Sequence, residues 1–303
     1  MQAMILAAGL GSRMRPLTNV IPKPLFPVLN TPSIERILCS LMEYGFTHVY
    51  VNLFHLASYI ADFLAAWCRC KTITVIPVME PFLLGTGGAL VNALPYFIKE
   101  SPLLLINSDV VCNVNFRQCW NDHVAGGALA TILVHNKEPY NKLDVRDGLL
   151  ATFESNEKNA VAYTGIACLS PDFFRFLPKK MPCSLIDGFK NAMKDGCCVR
   201  ALPLKNFSQD GIWEDIGTVE GYLAAHKQLL ALNNCLIRHG SDCHLAPGAM
   251  IEKWGCLGDR VRVGENAVVR ASVVWNDCSI SANEVIENSI VSTFGRLIWT
   301  SSR

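Results

Sequence analysis

Ala7-Ala8-Gly9-Leu10-Gly11-Ser12-Arg13-Met14-Arg15-Pro16-Leu17-Thr18, followed closely by Pro22-Lys23-Pro24, is the densest signal in the chain. It comes directly after the apolar run Met4 to Ala8, which reads as a buried first strand. Glycine lets the backbone approach a ligand closely, and exposed amides beside fixed cations make an anion cradle. Phosphate is the natural guest. Both common phosphate fingerprints fail, since G-x-G-x-x-G would need glycine at Met14 and the Gly-Lys-Ser/Thr ending of a P-loop is absent. A dehydrogenase or a P-loop kinase is therefore disfavoured.

Downstream of the loop, short apolar strands alternate with helical periodicity. Thr31 and Pro32 read as an N-cap and first-turn proline. Ile34, Ile37, Leu38 and Leu41 then fall on one helical face, and Gly45 supplies the stop. Strands are predicted at Val49 to Leu53, Thr72 to Val78, Leu103 to Ile106 and Leu129 to Val134, with helices near Ala57 to Trp67, Gly87 to Leu94 and Phe116 to Val124. The pattern implies an α/β fold with a doubly wound, mostly parallel sheet and a site at the carboxyl ends of its strands.

Past a predicted helix from Val219 to about Leu232, the period changes. Ile251, Leu257, Val263 and Val269 recur every six residues, and after a one-residue slip Val274, Ile280 and Ile286 continue. Period six suggests a short parallel β-helix of about four coils, docked on the first domain or on another subunit. Two domains, 1–232 and 233–303, follow.

The length of 303 residues suits roughly two domains of about 150 residues each. A charged fraction of 17% and a net charge of +1 leave no basic stripe for nucleic acid or an anionic membrane, and no apolar run is long enough to span one. The 13 cysteines are odd in number and lack C-x2-C spacing, so buried, reduced thiols in a cytoplasmic protein are expected, with no structural metal.

The opening string resembles the G-x-G-[TS]-R-x-R-P-L-T…P-K-P signature of the sugar-1-phosphate nucleotidylyltransferases. Further motifs follow in family order: Glu80-Pro81…Leu84-Gly85-Thr86-Gly87-Gly88-Ala89, Leu105-Ile106-Asn107-Ser108-Asp109, Tyr163-Thr164-Gly165-Ile166 and Trp213-Glu214-Asp215-Ile216-Gly217-Thr218. The likeness covers residues 1 to about 232 and continues into the six-residue repeats, which resemble the left-handed β-helix tail of such enzymes.

The resemblance implies attack of a sugar-1-phosphate on the α-phosphorus of a nucleoside triphosphate, giving a nucleotide-sugar and pyrophosphate. A dianion about 4 Å from a single negative charge costs on the order of 8 kcal/mol at an effective dielectric near 20. Positive charge must offset it. The resemblance places Mg2+ on Asp109 and Asp215, with Arg13 on the triphosphate and Lys23 on the sugar phosphate or α-phosphate; these four are the expected catalytic residues. Arg15 is read either as a phosphate ligand or as the partner of a structural carboxylate. Leu6, Ala7, Ala8, Gly9, Gly11, Ser12, Arg13, Glu80, Gly85, Thr86 and Asp109 are expected to bind the nucleotide. Glu80 stands where the family reads the base; a carboxylate accepts but cannot donate, which suits guanine. Glu157, Lys158, Thr164 and Gly165 are expected at the sugar, although Glu154 offers a competing alignment and Tyr140-Asn141 replaces a glycine common in relatives.

Asn107-Ser108-Asp109-Val110-Val111-Cys112, Glu80 and the short repeats resemble mannose-1-phosphate guanylyltransferases most, and a uridylyltransferase is the near alternative because Val51-Asn52-Leu53 and Leu84-Gly85-Thr86-Gly87-Gly88 also look like uridylyl-transferring relatives. A homo-oligomer built through the coils is expected. Two other classes remain: a regulatory subunit that binds nucleotide-sugar without turnover, and a hexapeptide acyltransferase with its chemistry near His239 or His244.

Overall fold

The opening apolar run forms the strand Gln2–Leu6, which pairs in parallel with His48–Leu53 on one side and Leu103–Asn107 on the other. In a computed structural model describing residues 1–208 and 210–300, these strands belong to a nine-stranded sheet. Its order is Thr74–Met79, His48–Leu53, Gln2–Leu6, Leu103–Asn107, Ala162–Leu169, Ala130–His135, Val199–Pro203, Leu149–Thr152 and Asp144–Arg146. Ala162–Leu169 and Leu149–Thr152 run against both their neighbours. Every other pairing is parallel. The antiparallel strand in the middle was not legible beforehand, because a strand buried on both faces reads as the same apolar run in either direction.

Ala57–Trp67, Gly85–Ala93, Phe116–Gly126 and Leu185–Lys194 are helices. Asn115 and Ser184 cap the last two by accepting from the amides of Gln118 and Ile186. Met4, Tyr50, Leu103, Leu105, Ile132, Phe173 and Phe189 lie in the core of this part.

The chain divides into two compact units, Met1–Gly9 with Ile37–Ile212, and Leu10–Arg36 with Trp213–Arg303. This differs from a single cut after Leu232, and side-chain bonding within the second unit explains why. The Tyr222 hydroxyl donates to the Pro27 carbonyl and accepts from Trp275 Nε1. The Leu29 amide donates to His226 Nε2 (3.2 Å), and Asn30 Nδ2 donates to the Leu257 carbonyl (2.8 Å). Phe26, fully buried, packs edge-on against Trp275. Segment 10–36 is thereby bound to the helix Val219–Leu232 and to the repeats.

Thr31 and Pro32 do not start a helix. They pair with Val28 and Pro27 across a turn at Leu29 and Asn30, both at positive φ (48° and 66°), and the helix begins at Ser33. This is a two-residue hairpin without the usual glycine.

The six-residue pattern does fold into parallel ladders. Ile237–His239, Met250–Leu257, Val268–Val274 and Ser289–Ser292 stack in one sheet, and His244–Leu245, Arg262–Val263 and Ser279–Ile280 in another. Ile237 pairs with Gly255 and Val268 with Val285, so a coil takes eighteen and then seventeen residues, three steps of the repeat with one residue lost at the slip. Asp242, Arg260 and Asp277 form one column of left-handed corner residues, Gly248, Asn266 and Asn283 a second, and Lys253, Ala271 and Asn288 a third. Asn, Asp and Gly dominate because they reach that conformation at least cost. Leu257, Val263, Val269, Val274, Ile280 and Ile286 are buried, while Ile251 is half-buried.

Cys119, Cys168, Cys183, Cys256 and Cys278 are buried, and burial pushes the Cys256 thiol up to about 12 and the Cys278 thiol to about 11. Cys39 and Cys198 are exposed, so the expectation of buried thiols fails for them. No helix among the described residues is long and apolar enough to cross a membrane.

Candidate functional site

In the first unit, three strands end side by side. The amide of Ala7, just past Gln2–Leu6, donates to Asn52 Oδ1 (2.8 Å). Asn52 Nδ2 donates to Glu80 Oε1 (2.7 Å), and Glu80 Oε2 accepts from the Leu84 amide (3.0 Å). Ala7, Ala8, Asn52 and Glu80 are all buried. Beyond them Gly9 is exposed, and a Cβ there would meet no protein atom within 4 Å. The Ser108 amide donates to the Leu6 carbonyl (3.0 Å), which sets the half-buried Asp109 just past the end of Leu103–Asn107.

The second glycine segment is packed against protein. Gly85 has φ +76°, and a Cβ on it would come within 2.5 Å of the Cys183 carbonyl. The amides of Gly87 and Gly88 both donate to that carbonyl, and the Thr86 hydroxyl accepts from the Leu185 amide (2.9 Å). These glycines allow two stretches of backbone to touch.

In the second unit, Gly11 takes φ +60°, and its carbonyl accepts from the Thr18 hydroxyl (2.9 Å) and the Met14 amide (2.9 Å). The resulting tight turn exposes Ser12, Arg13 and Arg15. Lys23, by contrast, is buried, with its side chain 9% exposed. Arg13 Nη2 and Lys23 Nζ each stand 3.5 Å from the Asp215 carboxylate, one at Oδ2 and the other at Oδ1. The Gly217 amide donates to Asp215 Oδ1 (2.7 Å) and fixes the carboxylate. A Cβ on Gly217 would lie 2.5 Å from Lys23 Nζ and 2.7 Å from both Arg13 Nη2 and Asp215 Oδ1, so the glycine is the floor on which three charged groups converge. Arg13, Lys23 and Asp215, far apart in sequence, are thus brought together.

The residues expected at the sugar are Glu157, Lys158, Thr164 and Gly165, all in the first unit. Thr164 is fully buried, and its hydroxyl donates to the Leu133 carbonyl (2.8 Å). Gly165, at φ +78° where the strand register shifts, allows the Asn107 side chain to press against it. The Thr164 hydroxyl thus ties its strand to the neighbouring one. Glu157 and Lys158 are exposed in a turn closed by the Ala160 amide on the Glu157 carbonyl (3.0 Å), and Glu154 is ion-paired with Lys190.

Asn52 and Gly217 stand inside the motifs Val51-Asn52-Leu53 and Trp213-Glu214-Asp215-Ile216-Gly217-Thr218, but neither was expected among the site residues. The signal for Asn52 was a polar residue closing the apolar strand His48–Leu53; nothing marked Gly217 beyond its place after Asp215.

As to a divalent cation, Asp215 offers hard oxygens, of the kind Mg2+ takes one or two of beside phosphate and water. No group of three or more His, Cys, Asp or Glu that could hold a metal ion is found among the described residues.

The chain matches the family described as nucleotidyl transferase over residues 2–231. It is 27% identical to a UTP–glucose-1-phosphate uridylyltransferase of Synechocystis sp., an alignment covering 98% of this chain and 84% of that protein. It is 28% identical to a mannose-1-phosphate guanyltransferase of Schizosaccharomyces pombe, over 98% of this chain and 89% of the relative. Among solved structures, a UDP-glucose pyrophosphorylase of Acinetobacter baumannii superposes with a TM-score of 0.64 at 20% identity, over 76% of this chain and 93% of the other, which supports the large, mostly parallel α/β sheet.

Proposed function

From the premise that this chain belongs to the nucleotidyl transferase family, we propose how its residues carry out the family's chemistry and on which substrates. It is a sugar-1-phosphate nucleotidylyltransferase: a phosphate oxygen of the sugar-1-phosphate attacks the α-phosphorus of a nucleoside triphosphate, the bond to the β-phosphate breaks, and pyrophosphate leaves. The observation that carries the assignment of residues is the convergence of Arg13, Lys23 and Asp215 above Gly217.

Arg13, permanently charged and exposed, holds the triphosphate and steadies charge on the departing pyrophosphate. Lys23 is held by burial and by Asp215, so its ammonium is in place before substrate arrives and loses little freedom when it meets the sugar phosphate. Mg2+, held by Asp215 and by Asp109, would supply the remaining charge neutralisation. Ala7, Ala8 and Gly9 offer backbone to the nucleotide, and exposed Gly9 leaves room for close approach.

GTP with mannose-1-phosphate is the proposed pair, on the likeness of Asn107-Ser108-Asp109-Val110-Val111-Cys112 and of the repeats to mannose-1-phosphate guanylyltransferases and not on Glu80. A left-handed winding of the coils, assembly into homo-oligomers through them, and a cytoplasmic setting belong to the same proposal. Pyrophosphate release with GTP or UTP against mannose-1-phosphate and glucose-1-phosphate tests it. Turnover only with UTP would overturn the base, and no turnover with any pair would overturn the reaction.

A further inference from the structure

The geometry points to Asn52 and Glu80 as a buried polar clamp that positions both nucleotide-binding segments, with Glu80 acting as a positioning residue and not as the reader of the base. The inference rests on the transferase reading above.

The clamp joins two places that the chain leaves far apart. Leu6 pairs with Asn52 and Leu53 with Met79, so Ala7, Asn52 and Glu80 follow one another at the carboxyl ends of adjacent strands. The Ala7 amide needs an acceptor and the Glu80 carboxylate needs a donor. A primary amide supplies both from one side chain, so the orientation of Asn52 is fixed by its neighbours. Glu80 passes the link on to the Leu84 amide, immediately before Gly85 at φ +76° and the helix Gly85–Ala93. One continuous line of hydrogen bonds therefore runs from the entry of the Ala7–Gly9 segment to the entry of the second glycine segment.

Two facts argue against Glu80 as a base reader. It is only 6% exposed, and each carboxylate oxygen already accepts a bond from protein, one from Asn52 and one from Leu84. Asn52, 3% exposed, is equally shut in. Buried groups bonded in this way fix backbone positions, and an error there is transmitted to whatever the backbone holds.

The polarity of the clamp can be reversed, which provides the test. Asn52→Asp sets two carboxylates face to face, and Glu80→Gln sets a donor against either Asn52 Nδ2 or the Leu84 amide; each single change breaks one bond. The double variant Asn52→Asp with Glu80→Gln restores all three. In it, the new carboxylate at position 52 would accept from the Ala7 amide and from the new side-chain amide at position 80. The oxygen of that side-chain amide would accept from Leu84, with the net charge unchanged.

Steady-state pyrophosphate release would be measured with GTP and with UTP for all three variants, beside thermal melts. Each single variant should raise the KM for nucleoside triphosphate by about tenfold or more. The KM for sugar-1-phosphate should move less than about twofold and the GTP-to-UTP ratio should stay constant. The double variant should recover the triphosphate KM to within about threefold. A changed GTP-to-UTP ratio in Glu80→Gln alone would overturn the inference, as would a double variant whose melting temperature recovers while its triphosphate KM does not. If both single variants fail to fold, the double variant against wild type decides. Should the wild type release no pyrophosphate, the transferase reading fails, and thermal-shift titration of the same variants with GTP and UTP still tests the clamp.

Discussion

A Cβ placed on Gly217 would stand 2.5 Å from the Nζ of Lys23. The other close atoms, Arg13 Nη2 and Asp215 Oδ1 at 2.7 Å, are also ends of side chains. Gly217→Ala should therefore cost little stability, because those ends can swing aside, but it should displace the charges from where phosphate needs them. A shift of about 1 Å at reacting groups can cost on the order of a hundredfold. We expect kcat/KM for pyrophosphate release to fall by roughly that factor while the melting temperature stays near that of wild type. Full activity in the Gly217→Ala variant would remove the cluster from the mechanism.

Gly9 gives the complementary case. Nothing in the protein lies within 4 Å of a Cβ there, so Gly9→Ala is neutral to packing. Any loss of activity then reports the ligand. If the nucleotide approaches this backbone, the methyl group should raise the triphosphate KM by about tenfold or more, with an unchanged thermal melt. An unaltered KM would show that the nucleotide keeps away from Gly9.

The parts of the fold that repeat or alternate were legible in the sequence. The helix Ala57–Trp67 lies where its apolar spacing put it, and the slip between Val269 and Val274 reappears as a coil shorter by one residue. Three things were not. Strand direction leaves no trace in a doubly buried run, so Ala162–Leu169 could not be seen to oppose its neighbours. The hairpin at Leu29-Asn30 lacks the glycine that announces such turns. Glycines in a motif do not say whether the close approach they permit is to a ligand or to the protein itself. Gly9 leaves open space and Gly85 touches Cys183, yet both read alike as glycines near a strand end. Arg13, Lys23 and Asp215 were identifiable as motif residues, but their meeting on Gly217 depends on the folding of segment 10–36 against the later chain.

Thr164 separates a structural role from a ligand-binding one. Its buried hydroxyl donates to the Leu133 carbonyl and accepts from the Ile166 amide (3.3 Å) at the bulge. Thr164→Val keeps the shape and removes both bonds, so a loss of about 1–3 kcal/mol in unfolding free energy is expected from denaturant titration. The KM for sugar-1-phosphate should hold within about twofold in the same variant. A large rise in that KM without loss of stability would return Thr164 to the sugar.

Acid should destabilise both units through imidazoles whose pKa burial lowers, His123 and the half-buried His135 in the first and His226 in the second; His123 and His226 are the more deeply buried. His123 in the first unit contacts the hydroxyls of Thr131 (2.9 Å) and Ser170 (3.1 Å). In the second unit, His226 donates from Nδ1 to the Tyr222 carbonyl (2.9 Å) and accepts the Leu29 amide at Nε2. Burial is the main cause that lowers both to about 4, from an ordinary value of 6.5. Between these values the unfolded chain binds more protons than the folded one, so stability is full above pH 6.5 and falls as the pH drops toward 4. Each of these two imidazoles should cost about 2 kcal/mol between roughly pH 7.5 and 5. His226→Gln should remove its share of this dependence, because glutamine has no proton to gain, even if the variant is less stable at every pH. Urea titrations at several pH values follow this directly. If the wild type and the His226→Gln variant lose stability in parallel as the pH falls, His226 is not the group that titrates.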